Sequence, residues 1–174
     1  MGPVDGLRME ESDSVVRRRE REEWTADLLD LEAGRIGFPV LDRAAIQALL
    51  ATRPRIAIVG ASPNPVRPSH GVLQDLVGLG YDVVPVNPAA DEVAGLRCYP
   101  TLQEAVEATG SVDIVDVFRL RPACPTHARE AVEVGARVLW LQLGIASREA
   151  GRIAHEAGLA VVMNRCLAVE AMRA

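Results

Sequence analysis

Lysine is absent from this chain of 174 residues; all 19 basic residues are arginine. That excludes chemistry built on an ε-amine: a phosphate-loop NTPase, a Schiff-base enzyme, a biotin or lipoyl carrier. Aromatic residues make up only 3% of the chain, so the core must come from Val, Leu, Ile and Ala, which favours α/β layers over a β-sandwich. No apolar run approaches the roughly 18–20 residues that cross a bilayer. The charged N-terminus carries no apolar leader segment. A cytoplasmic protein with no membrane contact is expected. Three cysteines, Cys98, Cys124 and Cys166, lack C-x-x-C spacing, which gives neither a zinc site nor a disulfide framework. Basic patches are missing too. Net charge is −5, and residues 1–35 hold ten acids against six arginines. Nucleic acid is therefore not an expected partner.

What the chain does have is one dense stretch, Arg55 to Gly71. The β-branched run Ile56–Val59 stops at Gly60, a small-residue loop follows, and a helix is expected from Ser69. A mononucleotide-binding βα unit begins this way: a buried strand, a tight glycine turn, and a helix N-terminus aimed at phosphate. The loop lacks the second glycine of G-x-G-x-x-G and carries Pro63, Pro65 and Pro68. It points to a nucleotide-type ligand without pointing to NAD.

Around it, strands and helices alternate at intervals of about 25 residues, the pattern of βαβ units and a parallel sheet. Strands are expected at 56–59, 82–86, 112–118, 138–143 and 159–163. Asp42, Thr101 and Ser147 are expected helix caps. The doubly wound order 3-2-1-4-5 is the simplest topology, with its switch point between strands 1 and 4. Residues 1–35 form a charged extension, partly helical or disordered, and residues 36–174 the domain. The first dozen residues are expected to lack fixed structure. A helix from Val15 to Leu31 is expected to be a solvated arm packed lightly on the body; a homodimer or partner contact is the other reading. Deleting residues 1–35 is expected to leave ligand binding intact.

At the C-terminal edge of the sheet, Gly60, Ala61 and Ser62 allow close backbone approach to a pyrophosphate. A Cβ at position 60 is expected to harm binding more than folding. Ser69 and Arg67 can meet the same anion. Phe118 and Arg119 after strand 3, with Arg121 behind them, can hold an adenine ring or phosphates. After strand 2 the chain reads Val86-Asn87-Pro88, with no acid to grip an NAD ribose. Cys166 is the cysteine expected at this edge, with Arg165 beside it to favour a thiolate. His70, His127 and His155 have no partner at metal or dyad spacing.

The motifs Gly60-Ala61-Ser62, Asn64-Pro65 with Arg67-Pro68-Ser69, Gly80-Tyr81, Val86-Asn87-Pro88, Cys98-Tyr99-Pro100, Asp113 to Arg119, Trp140 to Gly144 and Met163 to Cys166 occur in that order. Together they resemble the small stand-alone CoA-binding proteins, whose fold is like the N-terminal CoA-binding domain of the succinyl-CoA synthetase α subunit. The resemblance covers about residues 40–170. It implies a Rossmann-like three-layer sandwich with a five-stranded, mainly parallel sheet, holding CoA or acyl-CoA. Gly60, Ala61 and Ser62 would then meet the pyrophosphate, with Arg67 and Ser69 nearby. Pro88 would flank the ligand. Val117, Phe118 and Arg119 would line the adenosine or pantetheine path, and Gln142 and Gly144 the thiol end. The family usually has Asp where this chain has Asn164. The resemblance does not imply catalysis, because the synthetase reaction needs a phosphohistidine domain and a nucleotide-binding subunit. Two alternatives stand beside it: an NAD(P)-binding oxidoreductase, and a redox sensor in which Cys166 forms a mixed disulfide with CoA.

Overall fold

The structure, a computed structural model, describes residues 13–174. The first dozen residues, expected to lack fixed structure, lie outside the described residues. The chain opens with α1 (Asp13–Glu32) and α2 (Arg43–Ala51). Then come β1 (Ile56–Val59), α3 (Pro68–Gly78), β2 (Val83–Val86), a small hairpin of β3 (Glu92–Val93) and β4 (Leu96–Arg97), and α4 (Leu102–Thr109). The remaining elements are β5 (Ile114–Val117), α5 (Cys124–Glu133), β6 (Val138–Leu141), α6 (Arg148–Glu156), β7 (Ala160–Val162) and α7 (Leu167–Ala171). The expected caps form. Asp42, Thr101 and Ser147 accept the N–H groups of Ala45, Glu104 and Ala150, each the orphan donor three residues on.

The parallel sheet has two apolar faces because strand side chains alternate. Ile56, Ile58, Ile114 and Trp140 join Ile46, Leu50, Leu73, Leu76 and Leu167 from α2, α3 and α7. Ala57, Val59, Val115, Val117, Leu139 and Leu141 join Leu102 and a run of alanines from α4, α5 and α6. This is the expected three-layer Rossmann-like sandwich. The alanines let α5 and α6 sit close together and close to the sheet.

Strand order differs from the expectation. The sheet runs β2-β1-β5-β6-β7, all parallel. Counted over these five strands it is 2-1-3-4-5, not 3-2-1-4-5. The outer edge of β2 is already taken: Tyr99 N–H donates to Pro85 O at 3.1 Å, and Asn87 N–H to Tyr99 O at 2.9 Å. β5 therefore pairs with β1 from the other side. Arg55 fastens that arrangement. Its backbone N–H reaches Asp113 at 2.9 Å, its Nε reaches Asp82 at 2.7 Å, and Nη1 reaches Thr109 O at 2.7 Å. The topological switch, where such sheets bind ligands, consequently lies between β1 and β5.

Candidate functional site

Two loops leave that switch point, Gly60 to Arg67 after β1 and Phe118 to Ala123 after β5. Gly60 has φ +86, and a Cβ there would fall on the Phe118 carbonyl oxygen and within 3.0 Å of Arg119 Cδ. Its N–H bonds Val86 O at 2.9 Å, while Phe118 N–H bonds Val59 O at 2.8 Å. Gly60 is thus demanded by the closeness of two backbones. The expectation that a Cβ here harms binding more than folding is corrected, because the obstacle is the fold itself.

The loop after β1 spends its own polar groups. Ser62 N–H donates to Ser69 Oγ at 3.0 Å, Asn64 N–H to Ser62 Oγ at 3.2 Å, and Val66 N–H to Asn64 Oδ1 at 3.0 Å. Arg67 N–H reaches Asn64 O at 3.0 Å. The three prolines have no N–H to offer. Few backbone donors are left for a phosphate, and the guanidinium groups nearby are the remaining candidates for meeting an anion. The helix begins one residue earlier than expected. Pro68 takes its first position and Arg67 is the N-cap, without a side-chain cap bond. Ser69 is buried and braces the loop from below. His70 Nδ1 lies 2.9 Å from Ser62 O, so the Nδ1–H tautomer holds the loop as well.

A cavity of about 1010 Å³ opens beside these loops. Of the candidates from the sequence, Arg67, Phe118, Arg119 and Gly144 line it. Ala61, Val117, Ser69 and Gln142 are buried beneath the surface. Gly60, Ser62, Pro88 and Cys166 stand outside the lining. Asn87 uses its amide to hold the neighbouring turns, donating to Ala61 O at 2.7 Å and accepting Ala89 N–H at 2.9 Å.

The N-terminal extension reaches the cavity as well. α1 is largely exposed and lightly packed, as expected, but it is not remote from the site: Arg17, Glu20, Arg21 and Trp24 line the same cavity. The helix is fastened by Leu28 and Leu31, which pack partly buried against the core, and by charge. Asp27 is buried and accepts Arg121 Nη2 at 2.8 Å and the Arg148 backbone N–H at 2.9 Å. Glu23 pairs with Arg121 at 3.1 Å, and Asp30 with Arg148. Trp24 Nε1–H bonds Gly144 O at 3.0 Å. Arg121, read from sequence as a lesser ligand candidate, is committed to α1. These anchors escaped the sequence because the partners stand 94 and 121 positions apart. The Arg17, Arg21, Trp24 spacing was visible as one helical face.

Gly144 joins three segments, since its N–H also donates to Asn164 Oδ1 at 2.8 Å. An amide oxygen accepts that bond as a carboxylate oxygen does, and Asn tolerates the φ of +53 found there. The family's usual Asp is not needed for it. Arg165 pairs instead with Glu170, at 3.1 Å. Burial raises the Cys98 thiol, and raises the Cys124 thiol to about 11, so both are inert near neutral pH.

Under the site, Asp116 of β5 is fully buried. Gln142 Nε2 donates to its Oδ2 at 2.7 Å, and its Oδ1 meets no partner. Burial pushes this carboxyl well above the ordinary carboxylate range, against the smaller opposing effect of the Gln142 bond. The sign follows from linkage. Below the unfolded value of about 3.9 both states are protonated. As pH rises past it, the unfolded chain ionises first, and stability falls until the folded group also ionises. Asp116→Asn is expected to gain stability relative to the parent as pH rises from 4 to 8. Urea unfolding of both proteins at the two pH values checks this. A stability difference that does not change with pH would show that Asp116 is ionised in the fold.

Comparison with known proteins bears on this geometry. The model of the CoA binding domain matches residues 54–172. This chain belongs to the CoA-binding domain family. YneT of Bacillus subtilis (strain 168) is 39% identical over 127 residues, covering 73% of this chain and 92% of that protein. A solved protein from Pyrococcus horikoshii OT3 is 38% identical with a TM-score of 0.71, covering 76% of this chain and 92% of that one. The dinucleotide-forming acetyl-coenzyme A synthetase 1 of Ca. Korarchaeum cryptofilum is 26% identical with a TM-score of 0.55, covering 64% of this chain and 26% of that one. The family segment contains the β1 and β5 loops. It begins after α1, so one wall of the cavity comes from outside it. Among the described residues no helix is long and apolar enough to cross a membrane, and no cluster of metal-ligating side chains occurs.

Proposed function

We propose that this chain binds CoA or an acyl-CoA in the cavity at the β1–β5 switch point, as a binding module. One observation carries the reading. Five arginines line a single cavity, and four of them, Arg17, Arg21, Arg67 and Arg119, have no carboxylate partner among the described residues; the fifth, Arg121, is paired with Glu23 and Asp27. Phe118 and Trp24 stand beside them. Arginines with flat apolar neighbours suit a ligand that joins phosphates to an aromatic base. The volume suits a large, extended molecule. Gly60, Ser62, Ser69 and Gln142 act by shaping and bracing the loops, with Ala61 and Val117 packed below. Pro88 follows β2 at the same edge. The NAD(P) reading has less support, because Asn87 stands where a ribose-binding acid would be and is used in turns. The redox reading has less support too, because Arg165 serves Glu170 and Cys166 stands outside the cavity lining.

Native mass spectrometry of protein purified without reductant tests this. A non-covalent mass of CoA or a CoA thioester is expected, one per chain. An NAD(P) mass would favour the oxidoreductase, and a reductant-sensitive adduct on Cys166 the sensor.

A further inference from the structure

α1 precedes the family segment, yet its Arg17, Arg21 and Trp24 line the cavity. These three stand at i, i+4 and i+7 and share one face. The Trp24 bond to Gly144 O turns that face toward the β6 loop. The next face behaves differently: Arg18 and Arg19 pair with Glu22 and Glu23 at 3.4 and 3.3 Å. Arg17 and Arg21 have no such partner among the described residues. They are like charges one turn apart, which destabilises an isolated helix. Arg67 and Arg119 bring two more unpaired cations to the same space, and Glu20 is the one carboxylate in the lining. The four cations without a partner on this cavity repel each other until an anion sits among them. The ion pairs of Asp27, Glu23 and Asp30 nevertheless hold the helix in place.

We propose that α1 is a wall of the ligand site, with Arg17 and Arg21 binding an anionic group of the bound CoA-type molecule. The inference rests on the CoA reading above. It assigns ligand preference to a segment outside the family's matched range. Three groups have the required charge: the pyrophosphate, the 3′-phosphate, and the terminal carboxylate of a dicarboxylic acyl thioester.

The test is calorimetric titration of the full chain and of Arg17→Ala/Arg21→Ala with CoA, 3′-dephospho-CoA, acetyl-CoA and succinyl-CoA. The double variant is expected to weaken binding at least about tenfold for one or more of these, as loss of charge-assisted contacts does. Its affinity should also depend less steeply on salt. Loss for CoA but not dephospho-CoA assigns the 3′-phosphate. Loss for succinyl-CoA beyond that for acetyl-CoA assigns the carboxylate, and equal loss for all four assigns the pyrophosphate. Arg18→Ala/Arg19→Ala removes the same charge from the other face and should bind as the parent does. Both variants replace exposed side chains with a strong helix former, and circular dichroism confirms the helix. Unchanged affinities in Arg17→Ala/Arg21→Ala overturn the proposal, as does an equal loss in the control pair. A parent that binds none of the four overturns the CoA reading and this inference with it.

Discussion

Gly60→Ala is expected to melt far below the parent. The added methyl would meet the Phe118 carbonyl oxygen, and φ at this position is +86. Backbone of that kind costs other residues about 1–3 kcal/mol before any clash. Relief is hard to find. Gly60 N–H is held by Val86 O and Phe118 N–H by Val59 O, so the residue is pinned from both neighbouring strands. The total should reach roughly 3 kcal/mol, a fall in Tm of roughly 6–12 °C for a chain of this size. Differential scanning calorimetry without ligand reads it. A fall of under about 2 °C would mean that the β1 and β5 ends separate easily, and the close approach would lose its importance.

Asp27→Ala has the second large effect. The carboxylate is the meeting point of Arg121, Arg148 and the first N–H of α6. Its removal leaves the Arg121 guanidinium half-paired; that side chain is only 20% exposed, and its Nε already lacks a partner. Breaking a buried pair from one side costs about 3–5 kcal/mol. About 3 kcal/mol is expected here, because the Arg148 side chain is 40% exposed and well solvated. α1 should also loosen, so trypsin should cut among Arg17 to Arg21 sooner than in the parent. Equal stability and equal cutting rates would mean that the Asp27 cluster does not hold α1 to the body.

These two residues mark where the sequence was legible and where it was not. Gly60 ends a β-branched run before a small-residue loop, and local pattern alone places it at the turn. The five strands and three caps follow from similarly local signals. Strand order did not, although one residue carried the information. Pro85 lacks the N–H that a central strand needs, which marks β2 as an edge and argues against placing another strand outside it. Pro68 likewise marked the first helical position, one residue ahead of the Ser69 start. Asp27 was out of reach. Its helix carries a short apolar face of Trp24, Leu28 and Leu31, and Leu28 and Leu31 do pack against the core, but the charged partners of Asp27 are distant in the chain. Charge pairing over such separations leaves no local trace. The candidate site was legible in its loops, at Arg67, Phe118 and Arg119, and illegible where α1 reaches the cavity.

Calorimetric titration of the full-length chain with CoA, and separately with NAD, tests the central claim most directly. Saturable binding of one CoA per chain is predicted, tighter than NAD and weakened as salt rises, since guanidinium groups carry the contact. No saturable binding of CoA, or tighter binding of NAD, would contradict it.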